Sequence, residues 1–141
     1  MPRIAISDTE ILNCFDTMAE LRPHLKKDYF LSTVREMEKG GYQLLFIEDD
    51  SAVVAVAGFR IARNLHMGKH LYIDDLVTAE SQRSKGYGET LVQWLRELAI
   101  KEGCTYLNLD SGTHRGRAHK FYFEQGFTIA SYHFSEELNN N

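Results

Sequence analysis

At 141 residues the chain has the size of one compact domain and little room for a second hydrophobic core. Hydrophobic residues make up 43% and charged ones 26%, with one Trp, seven Tyr and eight Phe; such a chain buries roughly two-thirds of its unfolded surface, which excludes disorder except at the ends. Sixteen Lys and Arg against twenty Asp and Glu give a net charge of −4, which lacks the basic excess of a nucleic-acid binder and favours an amine-bearing partner.

The longest apolar run, Ala52 to Phe59, falls well short of the ~20 residues that cross a bilayer, and the first residues show no charged-then-apolar leader pattern. A cytoplasmic protein without membrane contact is expected. Cys14 and Cys104 are far apart and flanked by apolar residues, so they read as buried free thiols.

Arg3 to Ile6 reads as a first strand, and Ser7 with Glu10 three residues on is a capping-box pair ahead of Ile11, Leu12, Phe15 and Met18 at helical spacing. A second helix carries Tyr29, Phe30, Val34 and Met37 and ends at Gly40 and Gly41. Tyr42 to Glu48 and Ala52 to Ala62 form a predicted hairpin around an acidic turn, Glu48 to Ser51. The next strand, His70 to Thr78, is interrupted by Asp74 and Asp75; two adjacent carboxylates do not fit an ordinary pleat, which predicts a bulge. Leu91, Val92, Leu95, Leu98 and Ala99 mark an amphipathic helix from Gly88 to Gly103. Tyr106 to Asp110 is a short strand, His114 to Gln125 a helix, and Phe127 to Phe134 a closing strand whose edge a second copy could pair with, as in a homodimer. This order mixes hairpins with crossovers and predicts an α/β (α+β) sandwich, a mixed sheet with helices on both faces, spanning 1–138 as one domain with a loose tail at 139–141.

Between the Asp-Asp strand and the amphipathic helix, Gln82-Arg83-Ser84-Lys85-Gly86-Tyr87-Gly88-Glu89 joins two glycines and two cations to a helix start. Glycine lets backbone N–H groups approach an anion, the helix start adds partial positive charge, and Arg83 and Lys85 add full charges, a combination suited to a diphosphate. A plain turn with solvated cations is the competing reading. The stretch lacks both the P-loop pattern and the third glycine of a dinucleotide fingerprint. His66 with His70, and Asp110 with His114, have metal-like spacing but span a glycine turn and a strand end, so no metal is expected.

Arg83-x-x-Gly86-x-Gly88 between a strand and an amphipathic helix resembles the acyl-coenzyme A signature of the GNAT N-acetyltransferase superfamily. The later stretch Ala118 to Phe127, with Tyr122 four residues before Gly126-Phe127, resembles the family's late helix, and the element order agrees over almost the whole chain. The resemblance implies a sheet splayed open between the strands at His70 and Tyr106, with acetyl-CoA as acyl donor in the opening. Leu76, Val77 and Thr78 would offer backbone groups to the donor, and Arg83, Ser84, Lys85, Gly86, Tyr87, Gly88 and Glu89 would surround its diphosphate. An amine, of a small molecule or a peptide, would attack the thioester carbonyl, with the N–H of Val77 stabilising the developing oxyanion. Tyr122 would protonate the departing thiolate, and Asp74 or Asp75 would serve as general base, with Glu48 as an outside candidate. The first two helices, the hairpin near Glu48 and the strand end at Asp74 would bind the acceptor, an acidic surround suited to a cationic amine. Gly112 to Arg117 lacks the Asn that many family members carry there. The alternative is a non-catalytic acyl-coenzyme A-binding or regulatory module on the same fold.

Overall fold

Ser7 opens the first helix as a complete capping box: its hydroxyl accepts from the Glu10 N–H at 3.1 Å, and the Glu10 carboxylate accepts from the N–H groups of Ser7 and Ile6 at 3.0 and 2.9 Å. Those backbone donors hold the Glu10 carboxyl below its ordinary pKa. The computed structural model describes residues 1–139; Asn140 and Asn141, the end of the expected tail, lie outside the described residues. The chain divides into two compact units, Met1–Leu109 and a second from Asp110 onward.

In the first unit, β1 (Arg3–Ile4) is followed by α1 (Asp8–Asn13), α2 (Phe15–Leu21) and α3 (Lys27–Glu38), then β2 (Gln43–Asp49), β3 (Ala52–Asn64), β4 (Gly68–Thr78), α4 (Tyr87–Lys101) and β5 (Tyr106–Leu109). The helix expected after Ser7 is two: Cys14 ends α1 and starts α2. The sheet runs β1-β2-β3-β4-β5, antiparallel except for the parallel pair β4–β5 that α4 makes possible as a crossover. The hairpin turns on Asp50 and Ser51, both at positive φ (52° and 63°), the arrangement whose twist matches that of the strands it joins.

The sheet is covered on both faces, which is why Leu44 to Ile47 on β2 are all buried rather than alternating. One face packs Leu44, Phe46 and Val56 against Ile11, Met18, Phe30 and Val34 of α1–α3. The other packs Leu45, Ala57, Phe59 and Leu71 against Leu91, Leu95 and Ala99 of α4. Full burial of each Leu or Phe contributes roughly 1.5–3 kcal/mol. No helix is long and apolar enough to cross a membrane among the described residues.

The second unit contains α5 (Gly116–Glu124). Its end is built around Gly126 at φ 93°: the Gly126 N–H donates to the Phe123 carbonyl at 3.1 Å and the Phe127 N–H to the Tyr122 carbonyl at 3.0 Å. This left-handed glycine cap brings the residue after the glycine back onto the helix. The closing strand expected at Phe127 to Phe134 is not formed. A strand exists only through its ladder of partners, and alternation of Phe, Ile and Tyr does not supply one; Ile129, Tyr132 and Phe134 stay largely exposed.

Candidate active site

The expected bulge sits on β4. Gly58 faces Asp75 and Phe59 faces Ile73, so Asp74 is the extra residue with no cross-strand partner. Its consequence is that neighbouring carboxylates turn toward the same side of the sheet. Asp74 takes both of its oxygens to Arg60 (2.8 Å each), whose guanidinium also lies over the Tyr72 ring. Asp75 accepts from Arg22 Nε at 3.1 Å and from the Tyr42 hydroxyl at 2.7 Å, while Arg22 Nη2 reaches the Asp74 carbonyl at 3.0 Å. Burial, followed by the charge of Asp75, pushes the Tyr42 phenol far above its ordinary pKa, so it is a fixed neutral donor. The hydrogen bond and charge of Asp74 likewise raise Arg60.

Gly58 makes this cluster possible. A Cβ there would lie 1.9 Å from the Tyr42 oxygen and 2.6 Å from Asp75 Oδ2. The residues Arg22, Tyr42, Gly58 and Arg60 were not singled out in the sequence; a lone glycine inside an apolar strand, the usual mark of a close approach, was the available signal for Gly58. Glu48 is not near this cluster's chemistry: it pairs with Arg3, which also bonds Glu10.

Asp75 forms part of the wall of a cleft of about 350 Å³. Met18, Phe30, Val34 and Met37 give it an apolar body, and Arg22, His24 and Lys26, from the turn between α2 and α3, stand at its side. Asp74 does not line it.

Beyond the bulge, β4 loses its second neighbour. The parallel ladder with β5 covers His70–Ile73 and stops at Ile73 facing Leu109, while β3 continues to pair with Leu76, Val77 and Thr78. The sheet is thus open on one side of those three residues, the splay expected from the sequence. Strand geometry then decides which N–H groups face the opening. The Ala79 N–H donates to the Val54 carbonyl at 2.8 Å, and successive residues alternate direction, so Val77 also spends its N–H on β3. Leu76 and Thr78 point theirs toward the opening. The expectation that Val77 donates to the oxyanion is therefore corrected: its side chain is buried and its N–H belongs to the ladder.

After β4 a 3-10 turn (Glu80–Gln82) leads into the glycine loop, tethered where the Glu80 N–H donates to Glu20 at 2.8 Å. Ser84 (φ 71°) and Gly86 (φ 83°) are both left-handed, a backbone path that turns successive N–H groups to one side. Gly86 is the N-cap of α4 and its carbonyl accepts from Thr90, so the N–H groups of Tyr87, Gly88 and Glu89 have no partner within the helix. Nothing stands within 4 Å of where a Gly86 Cβ would be. Arg83 and Lys85 are exposed, the latter donating to Gln82 at 2.7 Å. The Tyr87 hydroxyl donates to Asp49 on the hairpin at 2.8 Å, which raises its pKa and pins the start of α4. Open space, converging backbone donors and nearby cations fit a diphosphate group.

In the second unit, Tyr122 stacks edge-on with Phe121 (centroids 5.6 Å apart) and Phe127 (6.0 Å), held by the glycine cap that follows α5. The spacing of Tyr, Gly and Phe thus has a local physical cause.

Residues 9–127 match the sequence model of the acetyltransferase (GNAT) family. The chain belongs to this family. The acetyltransferase is 37% identical over 134 residues, 94% of each chain, to the uncharacterized N-acetyltransferase YhdJ of Bacillus subtilis. It is 29% identical over 82 residues, 53% of each chain, to the aminoalkylphosphonate N-acetyltransferase of Salmonella typhimurium. Its fold is similar, with a TM-score of 0.85 at 14% identity over 99% of this chain and 96% of the other, to an aminoglycoside N-acetyltransferase solved in complex with CoA. The protein is an N-acetyltransferase.

Proposed function

We propose that the chain acts as a single domain over 1–138, in the cytoplasm, and moves the acetyl group of acetyl-CoA directly to a primary amine held in the cleft beside Asp75. The observation that carries this reading is the juxtaposition on one strand: β4 presents Asp75 to the cleft and, one residue on, the N–H of Leu76 to the open side of the sheet. The glycine loop, from Arg83 to Glu89, takes the diphosphate through backbone donors, and Thr78 takes the pantetheine arm.

The amine nitrogen attacks the thioester carbonyl; its bond to carbon forms as the carbon–sulfur bond breaks. The Leu76 N–H receives the negative charge growing on the carbonyl oxygen, a fixed donor that needs no reorganisation. Asp75 accepts the amine's surplus proton, directly or through water; Asp74 is set aside for that role because it lies outside the cleft. Tyr122 gives its proton to the leaving thiolate.

Thiol release from acetyl-CoA across a panel of amines tests the reading, with calorimetric binding of acetyl-CoA alongside. Turnover that Asp75→Asn impairs and Asp74→Asn spares supports it. Tight donor binding without thiol release on any amine would return the chain to the non-catalytic module. The relatives' names span opposite acceptor charges, an aminoalkylphosphonate and an aminoglycoside, so the charge of the cleft is what discriminates among acceptors.

A further inference from the structure

Three basic side chains line the cleft, and all come from one short turn. Arg22, His24 and Lys26 lie between the end of α2 at Leu21 and the start of α3 at Lys27, a stretch containing no carboxylate. Asp75 is the one carboxylate among the lining residues, and Arg22 and Tyr42 already engage both its oxygens. Asp28, on the first turn of α3, is exposed and lies outside the lining. The acidic surround expected for the acceptor does not describe this cleft: Arg22 is paired with Asp75, which leaves Lys26 as the further permanent cation, beside His24 and around an apolar body.

We infer that the acceptor is a small molecule whose primary amine is joined by a short apolar segment to an anionic group, carboxylate or phosphate, with the amine at Asp75 and the anion at the Arg22–Lys26 turn. This rests on the reading of the cleft as the acceptor site. A zwitterion of this kind meets the opposite charge at each end of the cleft, whereas a diamine sets its second cation against Lys26 and an uncharged alkylamine leaves the cationic end without a partner. The apolar stretch of Met18, Phe30, Val34 and Met37 accepts the connecting methylenes.

The test uses the full chain saturated with CoA and measures calorimetric binding of four amines: β-alanine, phosphoethanolamine, propylamine and putrescine. The two anionic amines are expected to bind at least about tenfold more tightly than propylamine and putrescine. Lys26→Glu, an exposed change that reverses the charge at the proposed anion end and lies outside the glycine loop, is expected to erase that preference while acetyl-CoA affinity stays unchanged. The ratio of β-alanine to phosphoethanolamine tells carboxylate from phosphate. Putrescine or propylamine binding as well as the anionic pair, a preference that Lys26→Glu leaves intact, or no saturable binding by any of the four would overturn the inference. Thiol release measured on the same samples reports separately on acetyl transfer: turnover with the preference reversed sinks the acceptor class alone, and selective binding without turnover sinks the catalytic reading alone.

Discussion

The two sides of β4 are made in opposite ways. The loop that fits the donor is built from backbone, its N–H groups turned by Ser84 and Gly86 at positive φ and by the first turn of α4. The cleft beside Asp75 is built from side chains that lie far apart in the chain, with Arg22, Tyr42 and Asp75 meeting through two hydrogen bonds under the space left by Gly58. A backbone site tolerates change in most side chains around it and fails when φ cannot be kept. A side-chain site fails when one partner or the space for it is lost.

The largest expected effect joins neither class. Tyr122→Phe keeps the ring contacts with Phe121 and Phe127 and the cap at Gly126, and removes one hydroxyl. If that hydroxyl is the acid, single-turnover transfer falls by about 100-fold or more while acetyl-CoA affinity holds; unchanged transfer would reduce Tyr122 to packing.

On the acceptor side, Gly58→Ala puts a methyl group into the Tyr42–Asp75 contact. Urea unfolding should show a loss of about 3 kcal/mol, the size seen when a well-packed site is overfilled. Stability equal to wild type would show that the cluster yields, and would break the contrast drawn above.

For the loop, a Cβ at Gly86 would meet no atom within 4 Å, so the effect of Gly86→Val is set first by backbone conformation. A β-branched residue at φ 83° is strained, and acetyl-CoA binding should weaken by about tenfold with little change in the core. Retained affinity would mean that the loop's N–H groups are not the donors.

The smallest effect is a pH dependence confined to the α1–α3 side. Burial raises the Cys14 thiol from 9.0 to about 12. Between those values the unfolded chain sheds a proton that the folded chain keeps, so raising the pH favours unfolding; the contribution is whole below pH 9 and lost as the pH passes about 12. Denaturation midpoints followed from neutral to alkaline pH should fall over this range, and Cys14→Val should flatten the decline, leaving the share due to Tyr42. An equally steep decline in the variant would remove Cys14 as a source.

Helix starts, turns and the glycine loop were legible because each is a local event. Ser7 and Glu10 close their cap within four residues, Gly126 folds Phe127 back onto Tyr122, and Gly86 starts α4 without help from elsewhere. The pair Asp74-Asp75 announced a bulge for the same reason, since the conflict with the pleat lies inside two residues. What the bulge does with the carboxylates was not legible. That depends on Arg60, Arg22 and Tyr42, brought there by strands and helices 14 to 53 residues away. The identity of the outward-facing donor, Leu76 rather than Val77, follows from which partner strand claims Ala79, a matter of register.

By itself, then, the sequence determined the strand order up to β5, the bulge, the glycine loop and the family, because periodicity, capping and glycine conformation act over a few residues. Only the tertiary structure decided that Phe127 to Phe134 forms no strand, that Asp75 rather than Asp74 faces the cleft, and that the turn from Arg22 to Lys26 lines that cleft. Each of these depends on which distant partner satisfies a hydrogen bond or a charge, and such partners are chosen by packing, register and the twist of the sheet.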